Sequence, residues 1–158
     1  HAGGSNAWGR RQDAGIPTLR LLAWKDVERL VAKGATVAPH TRSHRDLTAL
    51  SGEALIEELQ GSRDDLDGRF GIRSAHFAYP YGRFTAAVAE AAGALFSRCY
   101  TTEFRTLDDR HDPLAVPRLD MYYFSEPAML DAWGTDRFRR RLAWIRARRK
   151  LRHAGVGF

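Results

Sequence analysis

Two histidines, His40 and His44, stand four residues apart in the sequence APHTRSHRDL, residues 38–47. At this spacing both imidazoles can lie on one face of a helical turn with their side chains converging. Neutral imidazole is a common ligand of transition metals. With six histidines in 158 residues, such a pair arises by chance in about one chain in five, so alone it is a weak signal. The alternative interpretation is a polar loop that happens to contain two histidines.

The elements around the pair follow an alternating pattern. We predict helices at 24–33, 53–67 and 85–93, and strands at 35–38, 75–79 and 96–101. Residues 115–123, AVPRLDMYY, are typical of a fourth strand or extended segment. Helices that alternate with short apolar strands favour an α/β fold with parallel strands, in which chemistry gathers at the carboxyl ends of the strands.

Three polar or aromatic groups occupy such positions. The histidine pair follows the first predicted strand, the sequence YPYG at 79–82 ends the second, and Arg118 and Asp120 lie in or near the fourth. This shared placement raises the odds that the histidine pair is functional. For YPYG alone, a β-turn with two packed tyrosines is the alternative.

Taken together, HTRSH at 40–44 and FAYPYG at 77–82 resemble two motifs of the polysaccharide deacetylase family, the NodB-homology carbohydrate esterases. The family's motif His-Ser/Thr-x-x-His is matched by His40, Thr41 and His44. Its motif Arg-x-Pro-Tyr/Phe is matched in part by Ala78, Tyr79, Pro80 and Tyr81. The resemblance runs from about residue 20 to residue 125, with the motifs in the family's order and spacing.

The resemblance implies a distorted (β/α) barrel, incomplete at its N-terminus, that removes acetyl groups from N-acetylated sugars of a polysaccharide or oligosaccharide. It implies that His40 and His44 bind a divalent metal, most often zinc, which polarises an amide carbonyl and activates water. Thr41 would hold the loop by hydrogen bonds. The backbone N–H of Tyr81 would stabilise the oxyanion, while Tyr79 and Pro80 would contact substrate. A location outside the cytoplasm or at the cell envelope is also implied.

The sequence departs from the family in two places. The motif Thr-Phe-Asp-Asp-Gly, which supplies the catalytic base and the third metal ligand, does not occur in it. Ala78 stands where the family often has arginine, and Arg118 could supply that guanidinium to orient a carboxylate. A surface arginine beside a strand is the alternative for Arg118. None of His76, His111 and His153 matches the family's general acid, so we assign none.

The first residues, HAGGSNAWGRRQDAGIPT, have no initiator Met, signal peptide or apolar pattern, and they are typical of a loop from the middle of a protein. We therefore expect that upstream sequence is missing and that the chain as given is catalytically incomplete. A single cysteine, Cys99, excludes an intrachain disulfide and is predicted to be buried. No apolar stretch reaches the length of a transmembrane helix.

The charge is unevenly distributed. The net charge is +6, yet residues 137–158 hold nine of the 25 basic residues and none of the 19 acidic ones, so residues 1–136 carry 16 − 19 = −3. We predict a partial deacetylase domain at 1–136 and a basic helical tail at 137–158. The tail places Phe138, Leu142, Ile145 and Arg149 on one stripe. It could pack on the domain with a solvated basic face, or contact anionic lipid or a polyanionic glycan. Nucleic acid is disfavoured, because no aromatic-rich surface accompanies the tail.

Three functions follow from these observations. A metal-dependent polysaccharide deacetylase is the leading hypothesis. A non-catalytic carbohydrate- or metal-binding remnant of the same fold is the first alternative. A basic-tailed protein that binds an anionic surface is the second.

Overall fold

The computed structural model describes residues 3–6 and 18–153. It contains helices α1 (Trp24–Ala32), α2 (Gly52–Phe70), α3 (Ala86–Gly93), α4 (Pro127–Asp131) and α5 (Asp136–His153), and strands β1 (His76–Ala78) and β2 (Arg98–Tyr100). The chain divides into two compact units. The first unit comprises residues up to 102 and 111–116, and the second comprises 103–110 and the residues from 117 onward. No helix in the described ranges is long and apolar enough to cross a membrane.

The first unit is built around a parallel strand pair. Phe77 of β1 lies opposite Cys99 of β2, and α3 connects the two strands. Val116 adds a parallel bridge to Tyr100 on the other side of β2. This β-α-β arrangement confirms the predicted α/β class with parallel strands.

The core of the first unit includes side chains of β1, β2, α2 and α3. It is formed by Leu47, Leu55, Leu59, Phe77, Tyr79, Val88, Ala92, Phe96 and Cys99. The burial of Cys99, which is 0% exposed, confirms the prediction for the single cysteine.

Local signals explain the helix ends of the first unit. Thr85 caps α3, because its side chain accepts a hydrogen bond from the N–H of Val88. The α2 helix runs through Gly68 and ends at Gly71, whose φ of 64° is the left-handed conformation that glycine adopts readily. Ile56 lies on the outer side of α2 and is 42% exposed.

Two predicted strands take other forms in the described chain. Residues 35–38 form no strand; the contact with β1 consists of one backbone bond, from the Ala78 N–H to the Pro39 carbonyl oxygen at 3.3 Å. Pro39, which follows the segment, has no N–H to donate to a neighbouring strand. In the segment 115–123 only the bridge at Val116 is strand-like. Residues Met121–Phe124 turn into a 3₁₀ helix, whose first turn is capped by Asp120.

The second unit has its own apolar core. Phe104, Phe124, Phe138, Leu142 and Ile145 pack together, with the guanidinium of Arg149 over the Phe104 ring at 5.2 Å. The predicted stripe of α5 is therefore the face that this helix buries. The predicted domain boundary at 136/137 stays a prediction.

Candidate active site

The loop after Pro39 brings the two histidine rings together. The ring centroids of His40 and His44 are 4.9 Å apart, and the ring planes meet edge to face. Nδ1 of His40 lies 2.7 Å from the carbonyl oxygen of Ala78, at the end of β1. A carbonyl only accepts, so Nδ1 donates and Nε2 carries the lone pair that a metal needs.

The loop achieves this arrangement without the helical turn that the i, i+4 spacing suggested. No helix is formed at 40–44; instead Thr41 and His44 adopt left-handed backbone conformations, with φ of 68° and 56°. The Thr41 hydroxyl oxygen accepts a hydrogen bond from the His44 N–H at 3.0 Å, the role predicted for it. Residues other than glycine pay about 1–2 kcal/mol for this conformation, and such strain tends to gather at functional sites.

Helix α2 holds the loop with a buried carboxylate. Glu58 is 8% exposed, and its Oε2 accepts hydrogen bonds from the backbone N–H groups of Arg42 at 2.9 Å and Ser43 at 3.0 Å. The Ser43 hydroxyl donates to the other carboxylate oxygen. Glu58 thereby satisfies two backbone donors between the two strained residues.

A second attachment lies beside the first. The Arg42 guanidinium donates to both oxygens of Asp65, at 2.6 and 2.7 Å, and it also pairs with Glu57. Hydrogen bonding from Arg42 lowers the pKa of the Asp65 carboxyl below its ordinary value. Gly61 makes room for this contact, because a Cβ there would lie 2.7 Å from the Arg42 guanidinium.

The sequence YPYG forms the opposite side of the site. The Tyr81 ring contacts His44, with ring centroids 4.8 Å apart. The backbone of Tyr81 is in the left-handed conformation, with φ of 59°. Gly82 follows with φ of 68°, and a Cβ there would lie 2.5 Å from the backbone nitrogen of Thr102. No side chain fits at this position.

Tyr79 and Pro80, predicted to contact substrate, are buried instead. The Tyr79 ring stacks on Phe84 at 4.8 Å and its hydroxyl donates to the Leu114 carbonyl at 3.0 Å. Burial raises the pKa of Tyr79. These two residues support the turn from its buried side. Direct contact of either one with substrate stays a prediction.

A cleft of about 460 Å³ opens beside His44. It is lined by Ser43, His44, Arg45, Asp46, Ala49, Tyr81 and Arg83. Asp46 and Arg83, which the sequence analysis did not single out, form an ion pair at 3.0 Å in this cleft. Hydrogen bonding from Thr48, followed by hydrogen bonding and charge from Arg83, lowers the pKa of Asp46.

The two imidazoles fit a metal, although they do not complete a site. Burial, followed by the charge of His40, lowers the pKa of His44, so this ring is held in the neutral form that ligates. Within residues 3–6 and 18–153, however, no group of three His, Cys, Asp or Glu side chains is placed to hold a metal. The roles of His40 and His44 as ligands stay predictions.

Arg118 and His76 each contact a residue outside the histidine pair. Arg118 belongs to the second unit, where it is exposed and its N–H donates to the Glu103 carbonyl at 2.9 Å. Its role in orienting a carboxylate stays a prediction. His76 contacts the Tyr100 hydroxyl at 2.8 Å through Nδ1.

Comparison with known proteins identifies relatives of this fold. A family model described as polysaccharide deacetylase matches residues 5–98. The structure is similar to the Streptococcus pyogenes deacetylase PplD in complex with acetate, with a TM-score of 0.61, 24% identity, and coverage of 69% of this chain and 48% of that one. It is also similar to a polysaccharide deacetylase from Bacillus cereus, with a TM-score of 0.57, 23% identity, and coverage of 69% and 34%.

An uncharacterised protein of Streptomyces coelicolor is 34% identical over 70 residues, which cover 44% of this chain and 28% of that protein. The chain thus spans 28–48% of the length of these relatives.

Proposed function

Since the chain belongs to the polysaccharide deacetylase family, we propose that it takes part in the hydrolytic removal of acetyl groups from N-acetylated sugars of a polysaccharide or oligosaccharide. The observation that carries the proposal is the pair of imidazoles 4.9 Å apart, next to Tyr81. The bond to be broken is the carbon–nitrogen bond of an acetamide. The relative PplD is in complex with acetate, which is the product that such a reaction releases.

We extend the proposal to the fold and the location. The parallel β-α-β unit and the likeness to solved deacetylases support a distorted (β/α) barrel for the whole domain. An extracytoplasmic or cell-envelope location is part of the proposal and rests on the resemblance alone.

His40 and His44 are the residues that would hold a divalent metal, most often zinc. When bound, such an ion supplies a Lewis acid for the amide carbonyl and lowers the pKa of water. The carbonyl of Ala78 fixes the His40 ring so that Nε2 faces outward from this hydrogen bond. Burial keeps the His44 ring neutral. Glu58 and Thr41 hold the loop that carries both rings.

The remaining roles concern the substrate. The Tyr81 N–H is proposed to donate to the oxyanion that forms on the acetyl carbonyl, in a turn that Pro80 and Gly82 constrain. The cleft beside His44 offers space for a sugar ring, and Arg83 and Arg45 at its margin offer donors for sugar hydroxyls. Arg118 is retained as a proposed partner of a catalytic carboxylate.

Among the described residues that line the cleft, Asp46 is the one carboxylate, and it is paired with Arg83. We propose that Asp46 is not the base, because its carboxylate is held by Arg83 at 3.0 Å and by the Thr48 hydroxyl at 2.7 Å. We propose that activity requires a carboxylate pair of the kind found in Thr-Phe-Asp-Asp-Gly, which the 158 residues lack. General-base catalysis is typically worth about 10²–10⁴ in rate.

Acetate release from N-acetylglucosamine oligomers in the presence of zinc tests the proposal. We expect little or no release by the 158-residue chain and clear release by a longer version that carries the Asp-Asp-Gly segment. In the longer version His40→Ala should abolish release. His76→Ala should not, because its ring contacts Tyr100 rather than the histidine pair.

Full activity of the short chain would show that a base within these 158 residues has been missed. Full activity of His40→Ala would remove the metal role of the pair.

Non-catalytic binding of carbohydrate or metal is the second candidate. The observation that favours it is the pairing of Asp46, the one carboxylate among the described residues that line the cleft, with Arg83. It would be supported if the longer version released no acetate from any N-acetylated polymer tested but retained oligosaccharide in a gel-shift or calorimetric assay.

A further inference from the structure

Helix α5 carries far more positive charge than folding requires. Nine lysines and arginines lie between Asp136 and His153, against one acidic residue. That acidic residue, Asp136, is paired with Arg139 at 2.7 Å. The other basic residues repel one another, so a surface of this composition is stabilised by an external anion.

One side of α5 is buried in the core of the second unit by Phe138, Leu142 and Ile145, at 3%, 8% and 1% exposure. The sides of the helix next to this core face are exposed. At about 100° per residue, Arg137, Arg141, Trp144 and Arg148 fall on one stripe beside that core face. We refer to these four residues as the arginine stripe. All four are exposed.

Trp144 distinguishes the stripe from a simple cationic surface. Its ring is 47% exposed, and the guanidinium carbons of Arg141 and Arg148 lie 4.8 and 4.6 Å from the ring centroid. These arginines come from the preceding and following turns of the helix, so they flank the ring along the helix axis. A ring covered in this way is poorly placed to stack on a nucleobase or a sugar, which need an open aromatic face.

The half-exposed indole and the guanidinium groups instead suit a lipid–water interface. Tryptophan favours the headgroup level of bilayers, and guanidinium binds phosphate through two parallel hydrogen bonds. In the described part of the chain, Arg137, Arg141 and Arg148 form no ion pair with a carboxylate. The second unit also exposes Met121, Tyr122 and Trp133, at 55%, 80% and 59%. A polymer made of phosphates alone has no apolar part for these side chains to contact, whereas a bilayer has one.

We propose that the arginine stripe binds the surface of bilayers that contain anionic phospholipids. The helix would lie along the surface, with its core face still packed in the second unit and the Trp144 edge at headgroup level. This inference concerns a surface separate from the histidine pair, and it does not depend on deacetylase activity.

Sedimentation of the 158-residue chain with phospholipid vesicles tests the proposal. We expect binding to phosphatidylcholine vesicles that contain about one third phosphatidylglycerol, little binding to pure phosphatidylcholine, and a large loss between about 0.1 and 0.5 M salt. The variant Arg137→Gln/Arg141→Gln/Arg148→Gln should lower the partition coefficient at least about tenfold. Trp144→Ala should lower it about threefold or more.

The matched control is Arg140→Gln/Arg146→Gln/Lys150→Gln, which removes the same charge from exposed positions of α5 outside the arginine stripe. It should change vesicle binding less than about threefold. Equal losses in the two triple variants would overturn the stripe in favour of diffuse charge attraction. Equal binding to charged and uncharged vesicles would overturn it as well. Tighter binding to a single-stranded oligonucleotide than to the anionic vesicles at the same salt would replace the proposal with a nucleic-acid surface. Thermal unfolding of each variant verifies that the second unit remains folded.

Discussion

Replacing Glu58 by alanine is expected to release the loop that carries both histidines. The carboxylate accepts hydrogen bonds from the N–H groups of Arg42 and Ser43, at 2.9 and 3.0 Å, and it is 8% exposed. A hydrogen bond to a charged group contributes about 1.5–3 kcal/mol net. Two such bonds give about 3–6 kcal/mol, and partial entry of water after truncation reduces the loss. We expect the free energy of unfolding to fall by about 2–4 kcal/mol.

Glu57 offers a matched control on the same helix. Its side chain is 64% exposed and pairs with Arg42, itself 39% exposed. Surface ion pairs are worth about 0–1 kcal/mol, so Glu57→Ala should have little effect. Glu58→Gln keeps one oxygen that can accept both N–H groups but loses the charge. Its loss should therefore fall between those of the two alanine variants.

Urea unfolding at neutral pH measures the free energies, and amide chemical shifts of Arg42 and Ser43 report the loop directly. Thr41 and His44 are in left-handed backbone conformations. Their strain should relax once the Glu58 carboxylate is removed, and the imidazoles of His40 and His44 should then move apart. The reasoning would be refuted if Glu58→Ala cost no more than Glu57→Ala, within about 0.5 kcal/mol, and left both amide shifts unchanged.

Three further predictions concern the surroundings of the site. Gly82→Ala should destabilise the protein by more than about 2 kcal/mol, because the new Cβ would lie 2.5 Å from the backbone nitrogen of Thr102. Gly52 also has a positive φ, 55°, but open space around it, so Gly52→Ala should cost about 1 kcal/mol. Equal losses of unfolding free energy in urea would contradict the clash. Asp65 has a lowered pKa, chiefly through its hydrogen bond from Arg42, so the stability it adds is complete above its ordinary pKa of 3.8 and is lost as pH falls through its folded pKa. The stability difference between the protein and Asp65→Asn should therefore shrink between about pH 5 and pH 2, and a pH-independent difference would exclude this linkage. Cys99 is fully buried with its pKa raised by burial, so thiol reagents should label it only in denaturant; fast labelling of the native protein would contradict its place in the core.

The sequence predicted the parts of the site that are local. His40, Thr41 and His44 are recognisable because the motif is contained in five residues, and Tyr81 because its turn follows a strand. The means of bringing the histidines together was not predictable in this way. An i, i+4 spacing suggests a helical turn. The structure instead places Thr41 and His44 in left-handed backbone conformations, which nothing in the side-chain pattern reveals.

The parts that depend on distant residues were missed. Glu58 lies 15 residues from Ser43 in an amphipathic helix, where a glutamate is normally a solvated residue. Asp46 and Arg83 meet across 37 positions, and no local pattern links them. Pro39 carried a usable signal, because a residue without an N–H at the end of a four-residue strand weakens the prediction of a ladder at 35–38.

X-ray absorption of the zinc-loaded protein tests the central claim, that His40 and His44 together bind a metal ion, most directly. At one equivalent of zinc, the spectrum should show two imidazole nitrogens bound to the ion. The count should fall in His40→Ala and in His44→Ala, and it should stay the same in His76→Ala, whose ring contacts Tyr100. A spectrum that contains no imidazole, or one that the His40 and His44 substitutions leave unchanged, would contradict the account.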